Sequence, residues 1–200
     1  MKAIFILITL CVVGCVSNPT NTSVEIASSP IDDKTYQDIY ESWTQDVQVY
    51  HHFDKIHFLT VTKLTPEFLA GFRHRYHTIY KQDPVALQDT SSRTAFFVSI
   101  EGPQSDILDI SDRNQWSVYL KQQDIKSPPM AIRSLDEKER WKPFFPSINH
   151  WTKEFLILFD LPSNESPQLL ESTVSHLTLA NSKASVILNW NAKQGSTPGQ

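Results

Sequence analysis

The sequence predicts an α+β protein: an antiparallel β-sandwich of immunoglobulin-like architecture with two amphipathic helices packed on it. Three observations lead to this prediction. The first part of the chain carries two apolar stripes with helical spacing, the second part carries short strand-like segments divided by turns, and two of those segments are apolar on both faces. Hydrophobic residues make up 40% of the 200 residues, which is ample for one buried core.

The first helix is predicted over residues 35–50. At 100° per residue its apolar side chains fall within one stripe of about 100°. The members of this stripe are Tyr36, Ile39, Tyr40, Trp43, Val47 and Tyr50. Asp32 and Asp33 stand at its start, where carboxylates cap free N–H groups and interact favourably with the helix dipole.

A strand and a second helix are predicted next. Residues 56–64 are rich in β-branched and aromatic residues, which favours a strand. Thr65-Pro66-Glu67 then supplies a capping hydroxyl, a proline at the first helical position and an acid in the first turn. The helix that follows has one apolar face, formed by Phe68, Leu69, Phe72, Tyr76, Ile79 and Tyr80. Asp83-Pro84 predicts its end.

Six further strands are predicted, divided by proline-rich turns. They cover residues 95–100, 116–120, 131–135, 154–161, 176–180 and 185–190. A sandwich strand with one solvent-exposed face alternates apolar and polar residues. Residues 94–98 and 155–159 are instead apolar on both faces. The two helical stripes are available to cover the second face, so residues 34–190 are expected to form a single domain. Trp116 resembles the buried tryptophan of immunoglobulin-like cores, although the paired cysteines are missing.

The N-terminus has the pattern of a secretory signal. Lys2 precedes an apolar run over residues 3–14, which is too short to cross a bilayer. The run closes on Val12-Val13-Gly14-Cys15, which resembles the lipobox read by the lipoprotein signal peptidase; Val12 stands where leucine is commoner. This resemblance implies that residues 1–14 are a signal peptide that is removed and that Cys15 becomes a lipid anchor. The alternative is an ordinary secretory signal that contains a cysteine.

The lipoprotein interpretation extends to the rest of the N-terminal region. Cys11 lies inside the signal, so Cys15 is expected to be the one cysteine left after cleavage, with no internal disulfide. In lipoproteins an aspartate after the anchor indicates retention at the inner membrane, whereas this chain has Val16, which favours the outer membrane. Residues 15–33 are rich in Ser, Thr, Asn and Pro and predict a flexible tether, and residues 191–200 predict a disordered tail.

A second resemblance covers most of the chain. The residues that carry it are Tyr40-x-x-Trp43-Thr44, Val49-Tyr50, Phe58, Thr65-Pro66-Glu67-Phe68 and Arg75-Tyr76. In these the sequence resembles a group of small uncharacterised envelope lipoproteins. No activity is attached to that group, so the resemblance implies a class of protein and no mechanism.

The known reactive motifs are missing from the sequence. It has no Gly-x-Ser-x-Gly, no His-Glu-x-x-His, no glycine-rich phosphate loop and no Cys-x-x-Cys. A net charge of −4 without a basic stripe argues against a nucleic-acid partner. We therefore predict no catalytic residue and no cofactor.

Two polar clusters are the weak candidates for metal binding. His74 and His77, three residues apart on the second helix, have a spacing that can place two imidazoles on one metal. Arg73 and Arg75 flank them and disfavour a cation, so solvated histidines are the simpler interpretation. The second cluster contains Asp106, Asp109 and Asp112. It lacks the glycine and the bidentate glutamate of a calcium loop, which favours a turn of solvated acids.

Four large aromatic residues lie in one proline-containing stretch, residues 141–151. They are Trp141, Phe144, Phe145 and Trp151. A loop of this kind must either bury such side chains across the end of the sandwich or present them to a protein or glycan partner. These four residues are therefore the possible partner contacts.

Two functions from different classes fit the sequence. The first is a membrane-anchored, non-enzymatic lipoprotein of the cell envelope that binds a partner or supports an assembly. The alternative is an envelope hydrolase or metal-dependent enzyme acting on peptidoglycan or glycan, built from His74, His77 and the aspartates that begin at Asp106. The first is favoured because no reactive constellation is recognisable.

Overall fold

The computed structural model describes residues 33–51, 54–84, 87, 90, 93–103, 108–122, 125–160 and 174–190. Its elements are α1 (Lys34–Trp43), β1 (Thr44–His51), β2 (Asp54–Lys63), α2 (Pro66–Tyr80), β3 (Thr94–Glu101), β4 (Ser117–Gln122), β5 (Ile125–Ser127), β6 (Ala131–Ser134), α3 (Lys138–Trp141), β7 (Lys153–Phe159), β8 (Ser175–Ala180) and β9 (Ser185–Trp190). The predicted signal peptide, Cys15, nearly all of the tether and the tail lie outside the described residues.

The strands form two antiparallel sheets. The five-stranded sheet has the order β1-β2-β3-β7-β6, and the four-stranded sheet has the order β5-β4-β8-β9. The predicted α+β class with antiparallel sheets is therefore confirmed, while the immunoglobulin-like arrangement stays a prediction. Among the described residues, no helix combines the length and the apolar character that crossing a membrane requires.

Helix α1 begins where the sequence predicts and ends earlier. The Asp33 carboxylate accepts a hydrogen bond from the Tyr36 N–H at 3.1 Å and caps the helix. The prediction that the helix continues to residue 50 is wrong, because the chain changes to strand β1 at Thr44. Val47 and Val49 point to one face of this strand, and β2 supplies its backbone partners, with Val47 opposite Leu59.

Helix α2 confirms the predicted start signal. The Thr65 hydroxyl accepts from the Phe68 N–H at 3.2 Å, and Pro66 occupies the first turn. The helix ends at Tyr80, three residues before Asp83. Lys81 adopts a left-handed conformation (φ 54°) there, and its N–H bonds to the His77 carbonyl.

The six later strands are confirmed with small shifts of their ends. For example, the strand predicted over residues 154–161 is β7, Lys153–Phe159. Strand β5, Ile125–Ser127, is not predicted from the sequence. It forms three residue pairs with β4 in a short hairpin, and its sequence is too short to carry a periodic pattern.

The central strands β3 and β7 are buried on both faces. On one face Phe96 packs against Trp190 of the four-stranded sheet, with ring centroids 5.1 Å apart. On the other face Phe97 stacks on Phe145 at 3.6 Å, and Phe145 in turn contacts Phe68 of α2 at 5.9 Å. The second face is thus covered by the helices together with part of the stretch 141–151.

Candidate functional site

The structure separates the four predicted contact residues into two groups. Trp141, Phe144 and Phe145 are buried in the core, whereas Trp151 is 70% exposed. Phe144 and Phe145 are buried because they fill the space between α2 and the five-stranded sheet, and Trp141 stacks on Phe72 at 6.3 Å. Phe144 and Phe145 are thus enclosed in the core, Trp141 is buried but lines a separate cleft beside Arg140, and Trp151 is the exposed member of the four.

The backbone around Trp151 is fixed by the side chain of Asn149. The Asn149 amide oxygen accepts from the Trp151 N–H at 2.7 Å, and its nitrogen donates to the Glu101 carboxylate at 2.9 Å. The Thr152 hydroxyl oxygen accepts from the Asn149 N–H at 3.0 Å. We call residues 149–152 the Trp151 turn. Its hydrogen bonds hold an exposed indole on a backbone with one defined shape.

The side chain of Lys138 in α3 also binds the Trp151 turn. Its ammonium donates to the carbonyls of Asn149 at 3.3 Å and His150 at 3.2 Å, and also to that of Thr152. It lies 3.9 Å from a carboxylate oxygen of Glu154, which is only 2% exposed and accepts from the Thr152 hydroxyl. Burial raises the pKa of Glu154 above its ordinary value of 4.5, although the Thr152 hydroxyl and the Lys138 ammonium act in the opposite direction.

The raised pKa of Glu154 predicts that the free energy of unfolding depends on pH, and Glu154→Gln should remove this dependence. Because the folded-state pKa of Glu154 is raised, the folded protein holds this proton to a higher pH than the unfolded chain does. The carboxyl therefore contributes stability that is complete below pH 4.5 and is lost as the pH rises through the folded-state pKa. Urea denaturation of both proteins across this range should show the variant gaining stability relative to the wild type as the pH rises. A constant difference would contradict the prediction.

The Trp151 turn borders a cleft of about 470 Å³. Its lining, which we call the Trp151 cleft, consists of Lys55, Ile56, His57, Glu101, Gly102, Pro103 and Trp151. The cleft lies where β2 and β3 pair, since Phe58 is opposite Glu101. It combines one exposed aromatic ring, one cation, one carboxylate and a buried imidazole.

His57 is the most enclosed polar residue of this lining, at 4% exposure. The Asn181 amide lies 3.1 Å from Nε2 and donates to it, so the proton of the neutral ring sits on Nδ1. Nδ1 is buried and has no hydrogen-bond partner within the described ranges of the chain. Burial lowers the pKa of His57, and the positive charge of Lys183 acts in the same direction. A neutral imidazole therefore lies beneath the cleft, with an N–H that has no acceptor in the described parts of the chain.

Glycine is required at position 102 because the backbone there, directly after β3, lies close to the backbone of Ile56 in β2. A Cβ at this position would lie 2.6 Å from the Ile56 carbonyl oxygen and 3.0 Å from Nδ1 of His57. Gly102→Ala should therefore lower the free energy of unfolding by about 1–3 kcal/mol through overpacking. Gly71 on α2 is the matched control, because its Cβ would meet the end of the flexible Ile39 side chain at 3.2 Å and Tyr36 at an ordinary contact distance of 3.7 Å.

Gly71→Ala should raise the stability by up to about 1 kcal/mol, since alanine has the higher helix propensity. Thermal denaturation of the two variants tests the contrast. Equal effects of the two substitutions would show that the close approach at Gly102 is not a constraint.

The weak metal candidates are not brought into a site. His74 and His77 are both exposed on α2, and no group of three or more possible metal ligands occurs within the described ranges. Asp109 accepts from the Ser111 N–H at 3.0 Å and Asp112 from the Asn114 N–H at 2.9 Å, so both carboxylates stabilise local turns. Asp106 lies outside the described residues.

Sequence reasoning missed Lys55, Glu101, Gly102 and the role of Lys138. These residues come near Trp151 only when β2 pairs with β3 and the stretch 141–151 folds back across the sheet. One local signal is present in the sequence. Asn149 stands two residues before Trp151, a spacing at which an asparagine side chain bonds the backbone and fixes a turn.

The described part of the chain is thus a sheet-rich α+β protein with a tryptophan at the rim of a small cleft. No family model matches the sequence, and no curated protein does. A solved structure of a novel protein of unknown function from Burkholderia pseudomallei is similar, with a TM-score of 0.42 and 9% sequence identity. The match covers 79% of this chain and 82% of that chain.

Proposed function

We propose that this protein is a lipid-anchored, non-enzymatic binding module of the cell envelope, with its two sheets in an immunoglobulin-like sandwich. The observation that carries the binding role is Trp151, which is 70% exposed on a turn held by Asn149 and Lys138. An exposed tryptophan on a fixed backbone can bury a large area on contact at little cost in conformational entropy. The buried position of Trp116, which packs on His57 at 5.5 Å, supports the sandwich architecture.

The anchor is supported by Val12-Val13-Gly14-Cys15, and Val16 favours the outer membrane. We expect intact-mass analysis of the membrane fraction to show an acylated N-terminus at Cys15. Burial of the acyl chains holds the protein on the membrane, at about 0.8 kcal/mol per CH₂ group. Cys15→Ser should leave the chain unacylated, because no other cysteine follows the signal. If the wild-type protein carries no lipid, the lipid anchor is refuted.

The binding role is tested by site-specific photo-crosslinking in intact cells. A photoreactive residue in place of exposed His150, beside Trp151, should give a defined crosslinked species. The same residue in place of exposed Ser185, on β9, is the positional control and should give none. Adding Trp151→Ala to the residue-150 probe should abolish the crosslink. Equal crosslinking from both positions, or no dependence on Trp151, would refute the binding surface.

A further inference from the structure

We propose that the Trp151 cleft binds a saccharide, a glycan built of neutral pyranose units. This inference rests on the proposed function and names the chemical class of its ligand. Three features of the cleft carry it: the aromatic platform, the set of hydrogen-bonding groups around it and the opposite charges of Lys55 and Glu101 in its described lining.

The platform is the indole of Trp151. A pyranose ring has one face of C–H groups with a small positive charge, and these pack on the negative face of an aromatic ring. Such stacking needs an open aromatic face held in a constant orientation. The 70% exposure of Trp151 provides the open face, and the hydrogen bonds of Asn149 and Lys138 hold the backbone that carries it.

The hydrogen-bonding groups of the cleft match the hydroxyl groups around the edge of a pyranose ring. Glu101 uses one carboxylate oxygen to hold Asn149, and its other oxygen has no hydrogen-bond partner in the described parts of the chain. A carboxylate accepts from sugar hydroxyls, and the ammonium of Lys55 donates to them. Nδ1 of His57, which has no hydrogen-bond partner among the described residues, is buried beneath this lining and is not itself a ligand contact.

The shape and charge of the cleft distinguish a saccharide from other ligands. Gly102 permits the close packing of the cleft floor, since a Cβ there would lie 3.0 Å from Nδ1 of His57. The volume of about 470 Å³ falls within the range of small-molecule sites. Lys55 and Glu101, the two fully charged residues of the described lining, carry opposite charges and so do not favour a polyanion.

Tryptophan fluorescence of the full-length protein in detergent provides a direct test. Four of the five tryptophans are buried, so acrylamide quenching reports mainly on Trp151. The probes are chitotriose and cellotriose, two neutral trisaccharides that differ in their acetamido groups. At least one of them should protect Trp151 from quenching in a saturable manner, and calorimetry should give the same affinity.

The variants separate stacking from hydrogen bonding. Calorimetry should show at least about a tenfold loss of affinity for Trp151→Ala, which removes the platform, and a smaller loss for Glu101→Gln, which keeps the shape but weakens the acceptor. Ile187→Ala, at an exposed apolar residue of β9, is the matched control and should bind like the wild type. Both Trp151 and Ile187 are exposed, so the variants are expected to fold.

Two outcomes would overturn the inference: no protection by either trisaccharide, or binding that survives Trp151→Ala. The crosslinking experiment with the probe at residue 150 distinguishes a wrong ligand class from a wrong binding role. If that crosslink persists and contains a protein while the saccharides do not bind, the ligand class is wrong and the binding surface stands. If the probe at residue 150 gives no crosslink either, both the binding role and the saccharide ligand are refuted.

Discussion

Trp43→Ala should lower the free energy of unfolding by about 3–5 kcal/mol, the range for removing a large buried aromatic side chain. Trp43 is buried at the end of α1 and joins three parts of the fold. Its indole N–H donates to Glu67 of α2 at 2.9 Å, and its carbonyl accepts from the indole of Trp190 in β9 at 3.0 Å. Total stabilities are about 5–15 kcal/mol, so this loss should lower the melting temperature of the whole domain.

Circular dichroism and fluorescence followed through the same thermal transition provide the measurement. Both probes should report one transition at the same lowered temperature, because α1 and the sheets share their core. Trp151→Ala is the matched control, since it makes the same substitution at an exposed position and should change the stability by less than about 0.5 kcal/mol. Two separate transitions in Trp43→Ala would refute the single folding unit.

Phe145→Ala should have an effect of similar size, again about 3–5 kcal/mol. Its ring is fully buried, lies parallel to Phe97 of β3 at 3.6 Å and contacts Phe68 and Phe72 of α2 at 5.9 and 6.2 Å. Removing it leaves a cavity between a helix and the central strand of the larger sheet. The packed surroundings can close such a cavity only in part.

Urea denaturation measures this loss, and Phe145→Leu is the graded control. Leucine refills part of the cavity, so its loss of stability should lie well below that of the alanine variant. A loss below 1 kcal/mol for Phe145→Ala would show that residues 141–151 form a dispensable surface loop. In that case Phe144 and Phe145 would again be candidates for partner contact.

Local sequence signals predicted most elements, and β1 shows where they fail. Trp43, Val47 and Tyr50 continue the helical stripe, yet Val47 and Val49 also satisfy the alternation of a strand. The segment is too short for its periodicity to decide between the two. The choice is made by β2, which pairs with it from Thr62 to Asp54 and supplies the backbone hydrogen bonds. That contribution comes from tertiary structure and is not visible in the eight residues of β1.

The aromatic stretch was ambiguous for a different reason. Phe144 and Trp151 lie in the same stretch and are both large aromatic residues, but one is buried and the other is exposed. The difference follows from contacts with distant residues: Phe144 packs on Phe72 at 4.7 Å, whereas the Trp151 turn is held at the surface by Lys138. The sequence identified the stretch, and the fold determines which of its four large aromatic residues is exposed.

The hydrogen bond between Trp190 and Trp43 has a consequence for the order of folding. It joins residues 147 positions apart, and Gln45 makes a second such link to the Asn189 carbonyl at 2.6 Å. Strand β9 is among the last described elements along the chain, so α1 and β1 cannot complete their contacts until nearly the whole domain has been synthesised. Contacts of such long sequence separation slow folding because the loop must close before they form. A nascent chain lacking β9 would expose Phe96 of β3, which packs on Trp190, and the edge of β8 that pairs with β9. We therefore expect a chain truncated before β9 to aggregate or to bind chaperones.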